Sequence, residues 1–401
     1  MSSLSASKGN RLQVVIFGRI NAGKSSLMNL FTGSTTSIVS GQPGTTTDPV
    51  EKAVEVQPLG PVLFVDTAGL DDAGVIGAQR VRRSRDYLRS ADLAVLVVQP
   101  GSFAQLEEDL VTELRRRQTP ILVVFGKADL GPPSDQELNR VTALNLPYVA
   151  ASFLDHSSVE VVTNALRVVA SASKAEEPPL ISDLLPPGGL AVLVVPIDPE
   201  APKGRLILPQ VQTIRDALDH DAMTLVVKER ELRAAMDRLK APPDLVVTDS
   251  QAFLRAAADV PTDVPLTSFS ILFARLKGDL RAYAEGARAI ERLASGSRVL
   301  IAEACSHHAV GEDIGTVKIP RWLSQYAGAA LHVDHARGAF PQDLASYDLV
   351  VQCGGCTKNR KEILGRIEAC REHEVPITNY GLCIAYSLGI FERALAPFRL
   401  S

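Results

Sequence analysis

One stretch decides the fold of the N-terminal part of this chain, namely QVVIFGRINAGKS at residues 13–25. Its first five residues are predicted to form a buried strand, and the eight that follow match the pattern G-x-x-x-x-G-K-S in full. An amphipathic helix is expected next, because Leu27, Leu30 and Phe31 share one face. A strand before the loop and a helix after it predict a phosphate-binding loop in an α/β sheet.

Each residue type in this loop has an expected role at the phosphates. Backbone amides surround the phosphate oxygens, Lys24 reaches the β and γ phosphates, and Ser25 ligates magnesium. The predicted nucleotide-binding residues of the loop are Gly18, Asn21, Ala22, Gly23, Lys24, Ser25 and Ser26.

Further nucleotide elements follow in the order typical of a small GTPase. The apolar strand at 62–65 ends in Asp66-Thr67-Ala68-Gly69, where Asp66 is expected to hold magnesium through water and the Gly69 amide to meet the γ-phosphate. Between the two elements, PGTTTD at 43–48 is a candidate first switch. It resembles the Pro-Gly-x-Thr-Arg-Asp segment of the GTPases close to Era and TrmE. That resemblance makes Thr46 the switch ligand of magnesium, so Lys24, Thr46 and Gly69 are the expected catalytic residues.

The base-recognition loop departs from the usual pattern. GKAD occupies residues 126–129, where GTPases usually carry Asn-Lys-x-Asp. Asp129 can still accept from the guanine edge, and the stem of Lys127 can still cover the base. We therefore expect guanine preference to be kept and affinity to be weakened, because the missing asparagine removes a tie to the nucleotide. The last base loop, AAS at 150–152, is a degenerate match to Ser-Ala-Lys.

Two residues bear on hydrolysis. Leu70 stands where Ras-like proteins carry a water-positioning glutamine, which predicts slow intrinsic turnover. Asn21 resembles the asparagine that binds potassium in the TrmE-like branch, so hydrolysis is expected to be stimulated by potassium. The alternative role of Asn21 is that of an amide that stabilises the loop.

Composition narrows the class of protein. The chain has 401 residues, 46% of them hydrophobic and 22% charged, with a formal net charge of -4. These values are ordinary for a globular protein and give no electrostatic reason to expect nucleic acid as a partner. Residues 1–10 contain no apolar stretch for a signal peptide or membrane span, so we expect the cytoplasm. Five cysteines, an odd number, favour metal binding over a disulfide framework.

Proline-rich segments at 176–179 and 186–189 indicate domain edges. We expect an α/β fold with three domains: a P-loop GTPase domain at 11–172, then two smaller parallel-sheet domains at 180–264 and 266–401. Further expectations are a charged helix at 228–240, a long helix from Leu266 to near Leu293, and strands at 299–304, 329–333, 348–352 and 376–378.

The cysteines mark a second candidate site. Cys305 follows one apolar strand, and Cys353-Gly354-Gly355-Cys356 follows another. Ligands bind beyond the carboxyl ends of strands in an open α/β sheet, so both segments are expected at one edge. Three thiolates with one variable position fit an iron-sulfur cluster or zinc. Cys370 and Cys383 lie in apolar stretches and are expected in the core.

The combination of motifs resembles the HydF family of FeFe-hydrogenase maturation GTPases over nearly the whole chain. The resemblance implies that the middle domain forms a homodimer and that Cys305, Cys353 and Cys356 bind a 4Fe-4S cluster. It also implies a scaffold that receives a diiron subcluster from radical-SAM maturases and passes it to apo FeFe-hydrogenase. Where that family often has histidine, this chain has Gln352, so the fourth iron position is left to water, a carboxylate or an imidazole. The candidate imidazoles are His307, His308, His332 and His335.

Two other functions remain open from the residues alone. One is a regulatory GTPase of the Era and TrmE type, acting in RNA modification or ribosome assembly with a zinc-stabilised C-terminal module. The other is a structural zinc protein in which Cys305, Cys353, Cys356 and His307 close the site. The first predicts a basic surface for RNA, and the last domain shows no stretch rich in lysine and arginine.

Overall fold

The computed structural model describes residue 9 and residues 11–34, 49–57, 59–72, 87–155, 157–172, 178–196, 206–304, 313–338, 340–341 and 343–399. Two predicted site residues, Thr46 and Cys305, lie outside these described residues. The chain divides into two compact units, Met1–Glu176 and Glu177–Ser401, and each is described by itself.

The first unit contains a six-stranded sheet with the order β2-β3-β1-β4-β5-β6. All its neighbouring strands are parallel except β2, which runs antiparallel to β3 at the edge. Its strands are β1 Leu12–Phe17, β2 Val50–Val56, β3 Gly60–Asp66, β4 Leu93–Val98, β5 Ile121–Phe125 and β6 Tyr148–Ala150. Its helices are α1 Lys24–Ser34, α2 Gln105–Arg116, α3 Asp135–Ala143 and α4 Ser157–Ala172.

Helices cover both faces of this sheet, which explains its unbroken apolar strands. Alternate residues of β1 enter different cores: Val14 and Ile16 pack with α1 and α4, whereas Val15 and Phe17 pack with α2 and α3. A parallel strand buried on both faces favours a continuous apolar run, as β4 shows throughout and β1 shows at every position except Gln13. The carboxyl ends of the parallel strands share one edge, where the predicted nucleotide loops begin.

The second unit contains two four-stranded parallel sheets. The first has the order β10-β9-β7-β8, with β7 Leu190–Val194, β8 Met223–Val227, β9 Leu245–Thr248 and β10 Leu266–Ser268. Its helices are α5 Leu208–Asp219, α6 Leu232–Met236, α7 Phe253–Asp259 and α8 Phe269–Lys277. The second has the order β12-β11-β13-β14, with β11 Arg298–Glu303, β12 His332–Arg337, β13 Leu349–Gln352 and β14 Ile377–Asn379. Its helices are α9 Leu280–Ala287, α10 Ile319–Ala327, α11 Arg360–Glu372, α12 Tyr380–Ser387 and α13 Phe391–Leu395.

The predicted α/β class with parallel sheets is confirmed, but three predicted elements are wrong. The expected long helix from Leu266 is a strand and two helices, because Ser268 caps the start of α8 and Asp279 caps the start of α9. The expected helix at 228–240 forms only as the short α6. The expected strand at 329–333 is displaced to β12, a polar edge strand that follows the left-handed turn at Gly328.

Helix α8 is shared by the two sheets of the second unit. Its residues Phe269, Leu272 and Phe273 belong to the core of the first sheet, whereas Ile271 and Ala274 belong to the core of the second. A helix apolar on most of its surface is typical of such a buried position. Among the described residues, no helix is long and apolar enough to cross a membrane.

Candidate nucleotide site and cysteine site

The loop after β1 is shaped by two glycines. Gly18 has φ of 148°, and a Cβ placed on it would lie 2.3 Å from the carbonyl oxygen of Val97. Gly23 has φ of 105°. L residues rarely adopt these values, so glycine is required for the turn from β1 into α1. The strand, tight turn and helix expected around residues 13–25 are therefore present.

Lys24 places its amine over this loop. Its Nζ donates to the carbonyl oxygens of Gly18 at 3.2 Å and Arg19 at 2.7 Å. Burial lowers the pKa of the Lys24 amine, and the nearby carboxylates of Asp66 and Asp71 oppose that effect. A buried amine beside loop amides at a helix N-terminus is suited to bind phosphate oxygens.

Asp66 ends β3 next to Ser25. Ser25 Oγ donates to Asp66 Oδ2 at 2.5 Å, while Asp66 Oδ1 is buried without a hydrogen-bond partner among the described residues. Burial raises the pKa of the Asp66 carboxyl, and the bond from Ser25 opposes the rise. A buried carboxylate oxygen without a donor, beside a hydroxyl, fits a hydrated magnesium ion, which takes oxygen ligands.

Gly69 lies directly on the phosphate-binding loop. A Cβ placed on it would lie 2.4 Å from Ile20 Cγ1 and 2.8 Å from Ile20 N. The neighbouring Leu70 N–H donates to the Gly18 carbonyl oxygen at 3.2 Å. Only glycine allows this approach, so any larger residue at position 69 separates the two segments.

Two charged contacts at this loop were missed by sequence reasoning. The Asp71 carboxylate accepts from the Ile20 N–H at 2.7 Å. Arg19 forms a two-bond pair with Glu107, at 2.8 and 3.0 Å, and the Glu107 side chain is buried. This pair raises the pKa of Arg19. Arg19 and Ile20 stand at variable positions of the phosphate-loop motif, and their partners Glu107 and Asp71 lie outside the motifs, so no pattern marked these contacts.

The base-recognition loop follows β5 at the same edge. Lys127 has φ of 55°, and its Nζ donates to Gln99 Oε1 at 3.1 Å. The exposed Asp129 accepts from Ser152 Oγ at 2.7 Å. This contact joins the two base loops, and Ser152 is the residue of the AAS segment whose side chain bonds the base-recognition loop. Ala150 is the last residue of β6, so the predicted AAS segment begins at the end of that strand.

Three further predicted nucleotide residues lie in or next to the loop. Asn21 is exposed with φ of 60°, Ser26 is exposed on the first turn of α1, and Ala22 is buried. The exposed Asn21 side chain is available to a ligand. Thr46, the predicted switch residue, lies outside the described residues.

The two cysteine segments follow strands that pair directly. β11 and β13 are parallel neighbours, with Ala302 opposite Gln352. The N–H of Ala304, the last described residue before Cys305, donates to Cys353 Sγ at 3.0 Å. The predicted convergence on one sheet edge is thus present up to residue 304. Cys305 lies outside the described residues, which contain no group of three or more potential metal ligands.

Glycine leaves room beside the two described thiols. A Cβ placed on Gly354 would meet only Cys356 Sγ, at 4.0 Å, so the space beyond it is open. Gly355 has φ of 60°, and a Cβ there would lie 2.6 Å from Ile363 Cδ1. Cys353 is buried and Cys356 is exposed. Two thiols beside open space fit a bulky group held by soft sulfur ligands.

A buried lysine donates hydrogen bonds to the backbone of the Cys-Gly-Gly-Cys loop. Lys277, the last residue of α8, is 5% exposed, and its Nζ donates to the carbonyl oxygens of Gly355 at 3.2 Å, Cys356 at 3.3 Å and Lys358 at 3.0 Å. In return, Arg360 Nη1 donates to carbonyl oxygens at the end of α8, those of Arg275, Leu276 and Gly278. We call this reciprocal pair of contacts, Lys277 to the cysteine loop and Arg360 to α8, the cation clamp.

Gln352 and two of the histidines considered for the fourth iron position lie among the described residues. Gln352 is fully buried; its Oε1 accepts from Arg366, and its Nε2 has no hydrogen-bond partner among the described residues. His332 pairs with Arg298 at the start of β11, so it lies at the opposite end of the sheet from Cys353. His335 is exposed on the edge strand β12. His307 and His308 lie outside the described residues.

The other two cysteines lie in the core, as predicted. Cys370 and Cys383 are 0% and 1% exposed and pack in the core of the second sheet. Burial raises the pKa of each thiol to about 12. Neither thiol is therefore an accessible ligand or nucleophile near neutral pH.

Three protein-family models match consecutive parts of the chain. Residues 13–127 match a 50S ribosome-binding GTPase model, residues 180–278 the hydrogen maturase F dimerization domain, and residues 280–397 the hydrogen maturase F tetramerization domain. The chain belongs to the hydrogen maturase F (HydF) family. It is a GTPase of that family, and its matches to the dimerization and tetramerization domains support oligomer formation.

The similar curated relatives match only the GTPase part. The tRNA modification GTPase MnmE of Syntrophotalea carbinolica is 38% identical over 169 residues, which is 41% of this chain and 36% of the relative. MnmE of Myxococcus xanthus is 42% identical over 133 residues, which is 33% of this chain and 29% of the relative. The HydF chain thus spans about a third of the length of these relatives.

Solved structures also align with this part. The G domain of the T. maritima FeoB iron transporter aligns with 40% of this chain and 99% of its own, at 23% identity and a TM-score of 0.32. S. thermophilus NFeoB, solved with GDP and aluminium fluoride, aligns with 39% of this chain and 63% of its own, at 24% identity and a TM-score of 0.30.

Proposed function

We propose that this HydF-family GTPase binds a 4Fe-4S cluster through Cys305, Cys353 and Cys356 and acts as a scaffold for hydrogenase maturation. It receives the diiron subcluster precursor from radical-SAM maturases and delivers it to apo FeFe-hydrogenase. The observation that carries the proposal is the N–H of Ala304 donating to Cys353 Sγ at 3.0 Å. This bond ties the strand that leads to Cys305 to the Cys-Gly-Gly-Cys loop.

The chain's own groups suit the cluster. Backbone N–H groups that donate to cysteine sulfur would tune the reduction potential of a cluster bound there, and the Ala304 amide donates to Cys353 Sγ. The Lys277 ammonium lies beneath the same loop and offsets the negative charge that thiolates bring. Open space beside Gly354 leaves room for the group. When bound, the cluster supplies an iron with one position open to an incoming ligand of the cargo.

Nucleotide hydrolysis is proposed to control the partners. We assign magnesium to Ser25, Asp66 and Thr46, and potassium to Asn21. The orphaned Asp66 Oδ1 and the exposed Asn21 side chain support these assignments. GTP turnover measured in potassium and in sodium tests the second one. Stimulation by potassium that is absent in Asn21→Ala supports it, and equal rates in both salts contradict it.

The dimer is proposed to form through the first sheet of the second unit. β8 is an edge strand of that sheet, and Met223 and Val226 on it are 54% and 42% exposed. On α5, Val211 and Leu218 are also about half exposed. Within the described part of the chain, no strand pairs with the outer side of β8. Such an edge beside exposed apolar side chains is a template for pairing with a second copy.

The test of cluster binding is anaerobic iron reconstitution followed by optical and EPR spectra of the reduced protein. We expect wild type to become brown and to give a reduced-cluster signal that Cys353→Ser loses. Cys370→Ala is the matched control, because Cys370 is buried in the core of the same unit, and it should keep the signal. Zinc bound in place of iron would contradict the scaffold and support the GTPase with a zinc module.

Delivery needs its own measurement. Wild type loaded by the maturases should activate apo FeFe-hydrogenase, whereas Cys353→Ser treated in the same way should not. Equal activation by both proteins would show that the cargo does not depend on the cysteine site.

A further inference from the structure

Gly126 stands where the asparagine of the base-recognition loop is usually found, and the structure shows what a side chain there would face. A Cβ placed on Gly126 would lie 3.2 Å from the carbonyl oxygen of Ala22 in the phosphate-binding loop. A side chain at position 126 therefore points from the base loop to the phosphate loop. An asparagine amide in that direction can bond the loop backbone, and this is the tie that glycine lacks.

The space in that direction is filled by Phe153. The same Cβ on Gly126 would lie 2.7 Å from Phe153 Cε2 and 3.0 Å from Cζ. A Cβ placed on Gly23 would lie 3.0 Å from Cε2 and 3.1 Å from Cδ2. One edge of the ring therefore contacts both loops, between the glycine that precedes Lys24 and the glycine that precedes Lys127.

The position of Phe153 follows from the hydrogen bond between Ser152 and Asp129. Aligning Ser152, the serine that bonds Asp129, with the serine of the Ser-Ala-Lys pattern puts Phe153 where that pattern has alanine. Relative to the usual pattern, the chain has lost a side chain at 126 and gained a large one at 153. The two departures occupy the same space and compensate each other in volume.

We infer that Phe153 is a positioning residue for the nucleotide, replacing the missing asparagine as the link between the base loop and the phosphate loop. The link is an apolar contact instead of a hydrogen bond. Phe153 is partly buried and packs against the core formed by β1, α1 and α4, which restricts the position of the ring. A ring fixed in this way keeps both loops in place before the nucleotide binds, which favours affinity.

This inference revises the expectation that Gly126 weakens binding. If the ring supplies the link, restoring the asparagine alone is harmful, because its Cβ would approach the ring to 2.7 Å. Contacts this short require the ring or the loop to move. The asparagine becomes acceptable only when Phe153 is also replaced by the alanine of the usual pattern.

The test is a double-mutant cycle on GDP affinity, measured with the full-length protein and fluorescent GDP. We expect Phe153→Ala and Gly126→Asn each to weaken binding roughly tenfold, or about 1.4 kcal/mol. The double variant should bind within roughly threefold of wild type, since the amide then replaces the ring. Additive losses in the double variant would overturn the inference.

Two further variants separate positioning from general stability. Phe153→Leu keeps apolar bulk and should retain affinity within roughly threefold, whereas an equal loss in Leu and Ala variants contradicts a packing link. Val168→Ala removes apolar atoms from an exposed position on α4 and should leave GDP affinity unchanged. The free energy of unfolding without nucleotide is measured for each protein. A loss of affinity that merely follows a loss of stability overturns the positioning role.

Discussion

Lys277→Met removes the central contact of the cation clamp while keeping a side chain of similar length. Three carbonyl oxygens then lose a charged donor. Cys356 is exposed, so its carbonyl and that of the half-buried Lys358 can gain water, whereas Gly355 is buried and its carbonyl keeps only the bond from the Lys358 N–H at 3.0 Å. Losing a hydrogen bond from a charged donor costs about 1.5–3 kcal/mol. Removing the buried charge recovers part of its desolvation cost, so we expect a net loss of about 2 kcal/mol.

The chain carries its own probe for this measurement. Trp322 is its single tryptophan, lies on α10 and packs against the core of the second sheet. Its fluorescence during urea unfolding therefore reports the second unit. The matched control is Lys240→Met, which removes an exposed lysine from the same unit and should change the unfolding free energy by less than about 0.5 kcal/mol.

Hydrogen exchange then shows where the loss occurs. Amides of residues 354–358 in the Lys277→Met protein should exchange faster, while amides of β13 keep their wild-type rates. Arg360→Met should weaken the same clamp from the other side, so the two changes together should cost less than their sum. An unfolding free energy within about 0.5 kcal/mol of wild type, with unchanged exchange at 354–358, would refute the clamp as a stabilising contact.

Three further outcomes are expected. Glu137 is buried, which opposes its ionisation, yet hydrogen bonds from Ser134, Gly101 and Phe103 hold its pKa below the usual value. The ionised Glu137 therefore stabilises the fold fully near neutral pH, and this stabilisation is lost as the pH falls below about 4.5. Glu137→Gln should flatten the acid limb of a stability profile recorded by circular dichroism, and an unchanged limb contradicts this. Asp71→Asn should raise GTP affinity several-fold and GDP affinity less, because the Asp71 carboxylate competes with the nucleotide phosphates for the Ile20 N–H. Titration with both nucleotides checks this, and weaker GTP binding would exclude the competition. Met223→Glu should shift the protein toward the monomer, as measured by the molar mass in light scattering, because the charge lies on the exposed edge strand β8. Val168→Glu, on an exposed face of α4, should leave the mass unchanged, and an unchanged mass of the Met223→Glu protein would reject the β8 interface.

Local sequence patterns predicted much of the nucleotide site. The segment at 13–25 specifies strand, turn and helix through neighbours in the chain, so its geometry could be read directly. The two cysteine segments were placed together for a different reason: any two adjacent parallel strands bring their carboxyl ends to one edge. These predictions needed only local pattern and one topological rule.

Contacts between distant residues were not predictable in the same way. Phe153 and Gly126 are 27 positions apart in the sequence. Each differs from the usual GTPase pattern, and the reason becomes clear only from the structure, where the Phe153 ring fills the space beside Gly126. A lysine at the end of a helix normally indicates an exposed cation at the negative end of the dipole, yet Lys277 is buried. The polar edge strand β12 lacks the apolar run by which buried strands are recognised.

Helix α8 connects these features within the second unit. Its apolar residues enter the cores of both sheets, and its last turn exchanges cation contacts with the cysteine loop. The first sheet, which carries the proposed dimer edge, therefore cannot shift relative to the cysteine loop without separating Lys277 from three carbonyl groups. Packed interfaces of this kind change in discrete steps, not by gradual bending. A partner that moves the first sheet should therefore either break the contacts of the cation clamp or leave them intact. Hydrogen exchange of the amides at 354–358 would distinguish these two outcomes and so detect the coupling.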